Sequence, residues 1–321
     1  MSSSDRKRIL LATDGSEHSL RTVRYAASIL DPQRFEVVLF HVLTRVPESF
    51  IDLEKMPAYR YRIVDVEAWE HRQEQLIEQF MEKARAILGE AGFGSGFVTV
   101  KLVERKVGIA RDIVEESQNG YEALLVGRKG LSELKDFMLG SIAHKIIQLA
   151  HIPVWIVGSG QEPRKILICI DSSEGSMLAA GHVSKILDGS DKCDILLFHA
   201  ARGITGLKKM MLEVFGSADH DSEIEKMEKQ FAVAGKLIEP SFDKVRADLT
   251  AAGVEPGRIA QKITTGVANS GNAIIEEAEK GGYDTIVVGR RGLGKVEEFI
   301  MGRVSSKVLH MAKEKTVWIV N

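Results

Sequence analysis

The chain has 321 residues, of which 44% are hydrophobic and 27% charged, and its formal net charge at pH 7 is −2. This balance gives no general attraction to nucleic acid or to an anionic membrane surface, and no apolar run approaches the roughly 20 residues that a membrane-spanning helix needs. The length predicts two domains of about 150 residues each. The N-terminus lacks a signal-peptide core, and the two cysteines, Cys169 and Cys193, lie in or beside apolar runs. We therefore expect a cytoplasmic protein with free thiols and no disulfide framework.

The first half alternates short apolar runs with amphipathic stretches, which predicts strands of a buried parallel sheet joined by helices. Continuous apolar runs predict five strands, over residues 8–14, 35–42, 97–103, 123–127 and 153–157. Apolar residues at helical spacing predict four helices between them, beginning near residues 16, 66, 109 and 141. Right-handed helical crossovers between parallel strands are the economical arrangement for this alternation.

The second half repeats the first after a short linker, Gly158–Pro163. The first strand of each half ends in an aspartate, Asp14 or Asp171, and the second strand of each half has a histidine near its end, His41 or His199. The chain is therefore a tandem duplication. We predict two α/β domains, residues 1–158 and 165–321, each with a five-stranded parallel, Rossmann-like sheet and helices on both faces.

A glycine-flanked basic loop follows the fourth strand of each half. Its spacing is Gly127-x2-Gly130-x9-Gly140-Ser141 in the first half and Gly289-x2-Gly292-x9-Gly302-Arg303 in the second. Glycine lets backbone N–H groups approach a phosphate closely, and a helix that begins after the third glycine adds the positive end of its dipole. The pattern therefore predicts a phosphate cradle at the carboxyl end of a buried strand, where ligands bind in open α/β sheets.

Side chains of the first loop can add to this cradle. We expect Ser141 to cap the following helix and to donate to a phosphate, and Arg128 and Lys129 to supply positive charge beside it. The plainer alternative is that the glycines only form turns between strand and helix. Recurrence of the pattern indicates common ancestry and does not decide between the two.

The spacing Gly-x2-Gly-x9-Gly-Ser, together with a first strand ending in Asp14 and a second strand ending in Phe40-His41-Val42, resembles the universal stress protein family. The resemblance covers both halves and implies tandem domains of the adenine nucleotide α-hydrolase type. Family members that carry the motif bind ATP, so it implies ATP, with or without Mg²⁺, as the ligand. It also implies that Asp14 contacts the ribose or adenine, that Val42 offers backbone contacts to the base, and that the loop holds the phosphates.

The resemblance places a nucleotide site in each half. In the first half it comprises Ala12, Thr13, Asp14, Val42, Val126, Gly127, Arg128, Gly130, Gly140, Ser141 and Ile142. In the second half it comprises Asp171, Gly289, Arg290, Gly292, Gly302, Arg303, Val304 and Ser305. The second set departs from the family pattern at Arg303, which stands in place of the serine. Arg303 could contact a phosphate, fill the cradle or pair with Glu297 or Glu298, and Ser305 or Ser306 could replace the lost hydroxyl.

Other site classes fit less well. The stretch from Gly289 resembles a P-loop, but Val296 stands where the Mg²⁺-binding hydroxyl is required. No Gly-x-Gly-x-x-Gly follows the first strand, which argues against a dinucleotide-binding domain. We expect His41 and His199 to be hydrogen-bonded structural histidines. No histidine or cysteine shows metal-ligand spacing, and no site residue is assigned a catalytic role.

Three functions remain open: a stress protein that signals or protects through bound ATP, a slow ATPase or nucleotide-dependent enzyme, and a nucleotide-free interaction module. In the family the last strands of two domains pair across a two-fold axis. The resemblance therefore implies an intrachain pseudo-dimer in which residues 154–157 pair with residues 317–320, which would otherwise be exposed apolar edges. The expected partner is an adenine nucleotide, without nucleic acid or membrane, and a further homodimer is compatible with the sequence.

Overall fold

The structure is a computed structural model that describes residues 6–44, 60–130, 139–159, 164–190, 192–202, 237–291 and 301–321. The chain divides into two compact units, Met1–Ile152 and Pro153–Asn321. Each unit contains a mostly parallel sheet with helices between its strands, which confirms the predicted α/β class. The fifth strand of the first half groups with the second unit, and the domain boundaries at 158 and 165 stay a prediction.

Among its described residues the first unit has four strands, β1 (Lys7–Thr13), β2 (Phe35–Leu43), β3 (Val98–Glu104) and β4 (Ala123–Gly127). They are parallel and lie in the order β3-β2-β1-β4. Ile9, Leu10 and Leu11 of the inner strand β1 are fully buried, which explains the continuous apolar sequence there, because an inner parallel strand is covered on both faces. The carboxyl ends of all four strands consequently meet at one edge of the sheet.

The described part of the first unit has four helices, three between these strands and one after the last of them: α1 (Glu17–Ile29), α2 (Arg60–Glu90), α3 (Ile109–Ser117) and α4 (Ser141–Leu149). Three begin within one or two residues of the predicted positions. Helix α2 begins at Arg60, earlier than predicted, because residues 60–66 include two valines and an isoleucine, whose weak helix preference masks the pattern.

The described part of the second unit contains six strands, β5 (Val154–Val157), β6 (Lys165–Cys169), β7 (Asp194–Arg202), β8 (Ile259–Val267), β9 (Thr285–Gly289) and β10 (Thr316–Val320). Their order is β5-β10-β9-β6-β7-β8, and every pair is parallel except β5 with β10. The described helices of this unit are α5 (Glu174–Leu187), α6 (Glu239–Ala251), α7 (Ser270–Lys280) and α8 (Arg303–Met311).

Strands β5 and β10 pair as the resemblance implied, in antiparallel register with Trp155 opposite Trp318. The two fully buried indole rings stack with their centroids 3.8 Å apart and their planes 3° from parallel. Trp155 Nε1 donates a hydrogen bond to His182 Nε2 of α5 at 3.0 Å. This pairing removes the exposed edges that both strands would otherwise present, and the indole N–H is satisfied inside the core.

Close backbone approach next to β5 yields a stability prediction. A Cβ atom added at Gly158 would lie 2.3 Å from the carbonyl oxygen of Glu314 and 2.6 Å from that of Lys315. We expect Gly158→Ala to lower the free energy of unfolding by about 1–3 kcal/mol, because backbone atoms have to move. Gly89→Ala, where a Cβ meets nothing within 4 Å, is the matched control and should leave the urea midpoint unchanged or raised. An unchanged midpoint for Gly158→Ala would contradict the close approach.

Candidate functional site

Asp14 stands at the carboxyl end of β1, where the chain turns into α1. Its Oδ1 accepts three hydrogen bonds, from Ser16 N at 3.0 Å, Ser16 Oγ at 2.6 Å and Ser19 Oγ at 2.6 Å. The turn requires a left-handed backbone at Gly15, with φ at +80°, which glycine adopts without strain. Ser16 also caps α1, as predicted, by accepting from Ser19 N at 3.2 Å. The first turn of α1 therefore fixes the direction of the Asp14 carboxylate.

His41 links the end of β2 to the end of β1. Its Nδ1 lies 2.8 Å from the carbonyl oxygen of Thr13, the residue before Asp14. His199 repeats this contact in the second unit, with Nδ1 2.6 Å from the carbonyl oxygen of Ile170. Both histidines are thus hydrogen-bonded, as predicted, and their structural role stays a prediction. Burial lowers the pKa of His41, although the Thr13 carbonyl and the Asp14 carboxylate act in the opposite direction.

The basic loop after β4 closes on itself. The N–H of Gly140 donates to the carbonyl oxygen of Arg128 at 2.9 Å, so the end of β4 and the start of α4 meet. Gly130 faces Asp14, because a Cβ atom added there would lie 2.4 Å from Asp14 Oδ2. The structure therefore brings the aspartate and the glycines of the loop to one place, as the sequence predicted. Residues 131–138 lie outside the described residues.

Ser141 is the first residue of α4 and not its cap. Gly140 holds the cap position without a side-chain hydrogen bond, so the prediction that Ser141 caps the helix is wrong. The first N–H groups of a helix have no acceptor within the helix, and here no cap side chain covers them. Ser141 is exposed beside them, in a setting that favours an anion.

Arg128 carries its positive charge in a buried position. Its side chain is only 8% exposed, and burial lowers its pKa to about 10. A guanidinium with this pKa is still charged at neutral pH. Lys129, the next residue, is half-buried. The positive charge predicted for this loop therefore acts partly from beneath its surface, where screening by solvent is weak.

The remaining predicted positions of the first unit surround the same edge of the sheet. Gly127 is the last residue of β4. Ile142 is half-buried in the first turn of α4. The buried residues at the strand ends are Ala12, Thr13, Val42 and Val126. Because these four side chains are buried, what they can offer a ligand is chiefly their backbone atoms.

The second unit repeats the closure of the loop, with Gly302 N donating to the carbonyl oxygen of Arg290 at 2.8 Å. Arg290 is 6% exposed, and its side chain donates to Asn321 Oδ1 at 3.1 Å. Burial lowers the pKa of Arg290, and the neighbouring charge of Arg291 lowers it further. The predicted site residue Gly292 and the two candidate partners of Arg303 lie outside the described residues: Gly292, Glu297 and Glu298.

Arg303 and Ser305 lie at the start of α8. Arg303 is the first helical residue and is exposed, and Val304 after it is half-buried. Ser305 is buried, and its hydroxyl donates to the carbonyl oxygen of Gly289 at 2.6 Å. A hydroxyl has one proton to donate, so Ser305 is not available to replace the hydroxyl that is lost at Arg303.

Asp171 is held differently from its counterpart in the first unit. Its Oδ1 accepts from Ser173 N at 3.1 Å and from Ser173 Oγ at 2.5 Å. The hydroxyl of Ser176 donates instead to the carbonyl oxygen of Ser173, at 3.0 Å. Ser19, the first-unit counterpart of Ser176, was not among the predicted site residues. The repeated spacing Asp-x-Ser-x-x-Ser was the signal that could have identified it.

The chain matches the model of the universal stress protein family twice, over residues 5–158 and 162–321. It belongs to that family. The resemblance that the glycine spacing indicated is therefore confirmed for both halves of this universal stress protein.

Individual relatives agree with this assignment. A universal stress protein of Mycolicibacterium smegmatis is 29% identical over 179 residues, 54% of this chain, and the match spans just 57% of that relative. The universal stress protein YxiE of Bacillus subtilis is 28% identical over 151 residues, which are 47% of this chain and 97% of that protein. The crystal structure of a universal stress protein from Archaeoglobus fulgidus covers 98% of both chains at 20% identity, with a TM-score of 0.56, and so shows the same fold.

Neither a metal site nor a membrane-spanning helix is found among the described residues of this universal stress protein. No group of three or more histidine, cysteine, aspartate or glutamate side chains is placed to hold a metal ion. No helix in the described part of the chain is both long and apolar enough to cross a membrane.

His41 makes the stability of this universal stress protein depend on pH. In the folded state its pKa lies below the ordinary value of 6.5. As the pH falls from about 6.5 through the folded pKa, the unfolded chain binds the proton first, and the free energy of unfolding falls. We expect His41→Asn, which keeps a donor near the Nδ1 position, to reduce the stability lost between about pH 7 and about pH 5.

Urea denaturation at a series of pH values measures this effect. His151→Asn is the control, because His151 is exposed, and it should leave the pH dependence unchanged. The same pH dependence in the wild type and in His41→Asn would show that His41 is not the titrating group.

Proposed function

We propose that this universal stress protein binds ATP in its first unit and that the bound nucleotide serves signalling or protection in a cytoplasmic stress response. The observation that carries the proposal is the meeting of Asp14, the closed basic loop and the exposed start of α4 at one edge of the sheet. Each part supplies what one portion of a nucleotide requires.

The phosphates are assigned to the loop and to α4. Gly127, Gly130 and Gly140 leave room for backbone N–H groups to approach phosphate oxygens. The first turn of α4 adds uncapped N–H groups and the positive end of the helix dipole. Ser141 is exposed there and adds a hydroxyl donor. The buried charge of Arg128 adds favourable potential for an anion.

The nucleoside is assigned to the ends of β1 and β2. The Asp14 carboxylate is held by two serine hydroxyls through Oδ1, and a carboxylate oxygen accepts hydrogen bonds from the hydroxyls of a ribose. Val42 is buried near the end of β2 and would offer backbone groups to the base. Mg²⁺, where present, would be held through the phosphates and water, since it keeps several waters when it binds nucleotides.

Calorimetry with ATP, with and without Mg²⁺, tests the proposal directly. We expect binding by the wild type and an affinity at least about tenfold weaker for Gly130→Ala, which corresponds to about 1.4 kcal/mol. The reason is that the added Cβ would lie 2.4 Å from Oδ2 of Asp14, whose carboxylate the first turn of α1 holds through Oδ1. Gly96→Ala, where a Cβ meets nothing within 4 Å, is the matched control. No heat and no shift in melting temperature with ATP would refute the proposal.

A second experiment tests the assignment of Asp14 to the ribose. We expect Asp14→Asn to weaken ATP binding by roughly tenfold or more, since a hydrogen bond to a charged group contributes about 1.5–3 kcal/mol. In that variant, 2′-deoxy-ATP and 3′-deoxy-ATP should bind almost as well as ATP, because the carboxylate that distinguishes them is gone. Asp248→Asn, on the exposed face of α6, is the control. If the losses of affinity caused by Asp14→Asn and by removal of a ribose hydroxyl simply added, Asp14 would not contact the ribose.

A further inference from the structure

We propose that Val107, in the loop between β3 and α3, packs against the adenine base of the bound nucleotide, and that Asp112 is the residue that positions this loop. The inference rests on the proposed function and adds two residues to the base end of that site. It follows from where the loop runs, from the hydrogen bonds that fix its backbone, and from the apolar side chain that it exposes.

The loop begins beside the strand that is assigned to the base. Strand β3 pairs with β2 in parallel, with Val103 opposite Val42. The pairing continues one residue beyond β3, because Arg105 N donates to the carbonyl oxygen of Leu43 at 2.9 Å. Leu43 is the last residue of β2. The chain therefore leaves β3 level with the end of β2, one residue past Val42.

From there the loop crosses the carboxyl end of β2. Strand β3 is the outer strand of this unit, whereas α3, which begins at Ile109, packs against β2 and α4. Residues 105–108 connect the two, so their path leads from the outer strand back over the neighbouring strand. The backbone of Val42, which is assigned to the base, lies at that strand end.

One carboxylate fixes the backbone of this loop. Asp112, in the first turn of α3, is 5% exposed. Its Oδ2 accepts from Lys106 N at 2.9 Å, and its Oδ1 accepts from Val107 N at 3.0 Å and from Gly108 N at 3.4 Å. Hydrogen bonds to a charged acceptor are the stronger kind. The loop is therefore ordered before a ligand arrives, which lowers the entropy lost on binding.

The start of the helix does not by itself account for this anchor. The corresponding helix of the second half, α7, is capped by Asn269, whose side chain accepts a backbone N–H at 3.1 Å. One such cap suffices to begin a helix. Counted from the two cap positions, the second half has alanine where the first has Val107 and Asp112, namely Ala268 and Ala273. The exposed valine and its anchor thus occur together in the first half and are both missing from the second.

Val107 is the group that this loop can offer to a base. Its side chain is 64% exposed, while the three backbone N–H groups around it are already bound by Asp112. The face of an adenine ring is a flat surface of low polarity, and covering an exposed aliphatic side chain with it removes apolar area from water from both partners. The contact would therefore favour a nucleotide over its phosphate chain alone.

Calorimetry with ATP and the full chain tests the contact. We expect Val107→Ser to weaken ATP binding about fivefold, because a large part of one aliphatic side chain is no longer buried by the base. Val107→Trp should tighten binding by about tenfold, since an aromatic ring stacks on a base. Leu178→Ser is the matched control, because Leu178 is also a half-exposed apolar residue, 48% exposed on α5, and it should leave the affinity unchanged.

The outcomes separate this inference from the proposed function. If the wild type binds ATP and Val107→Ser binds it equally well, or if Leu178→Ser loses as much affinity, the contact with the base is refuted while the proposed function stands. If the wild type binds no ATP, the proposed function fails and the contact fails with it.

A double-mutant comparison tests the positioning role of Asp112. Asp112→Ala should weaken ATP binding by about as much as Val107→Ser, and combining the two should weaken it little further, because the side chain is then no longer held in place. Inorganic triphosphate, measured by competition with ATP, should bind the wild type and both variants equally. Independent losses, or an equal loss of triphosphate affinity, would show that Asp112 does not act through Val107. Val107→Ser and Val107→Trp leave the loop backbone intact and decide the contact even if Asp112→Ala does not fold.

Discussion

One backbone hydrogen bond joins the two ends of each basic loop, from the amide of the third glycine to the carbonyl of the residue after the first. It joins Gly140 to Arg128 and Gly302 to Arg290, at 2.9 and 2.8 Å. Through this bond the end of a buried strand determines where the next helix begins. The strand is in turn held by burial, since each fully buried aliphatic side chain contributes about 1.5–3 kcal/mol relative to exposure. The two halves share this bond although the residue after the third glycine differs, Ser141 in one half and Arg303 in the other.

The fold was largely predictable because its signals are local and occur twice. Continuous apolar runs mark inner parallel strands, and residues such as Ile9 to Leu11 are fully buried as that pattern requires. The pairing of β5 with β10 came from the resemblance to a family, together with the need to cover two apolar edges. The start of α2 was misplaced, because β-branched residues near Arg60 hide helical periodicity.

The site was predicted less completely than the fold, since its details depend on contacts between distant residues. Glycine spacing predicted a cradle, and the structure places the aspartate after β1 beside Gly130. The role of Ser19 depends on where its hydroxyl points once α1 has formed. The cap of α4 moved from Ser141 to Gly140 because a helix begins where the backbone permits, and no side chain at the cap is required for that. Single-residue propensities do not carry such information.

Retention of a glycine is therefore ambiguous evidence for a phosphate site. Gly130 lies against the carboxylate of Asp14, whereas Gly175, Gly289 and Gly158 lie against another stretch of backbone. All of them need the absence of a Cβ, because each allows close packing against another part of the chain. The informative feature is what the missing Cβ would meet.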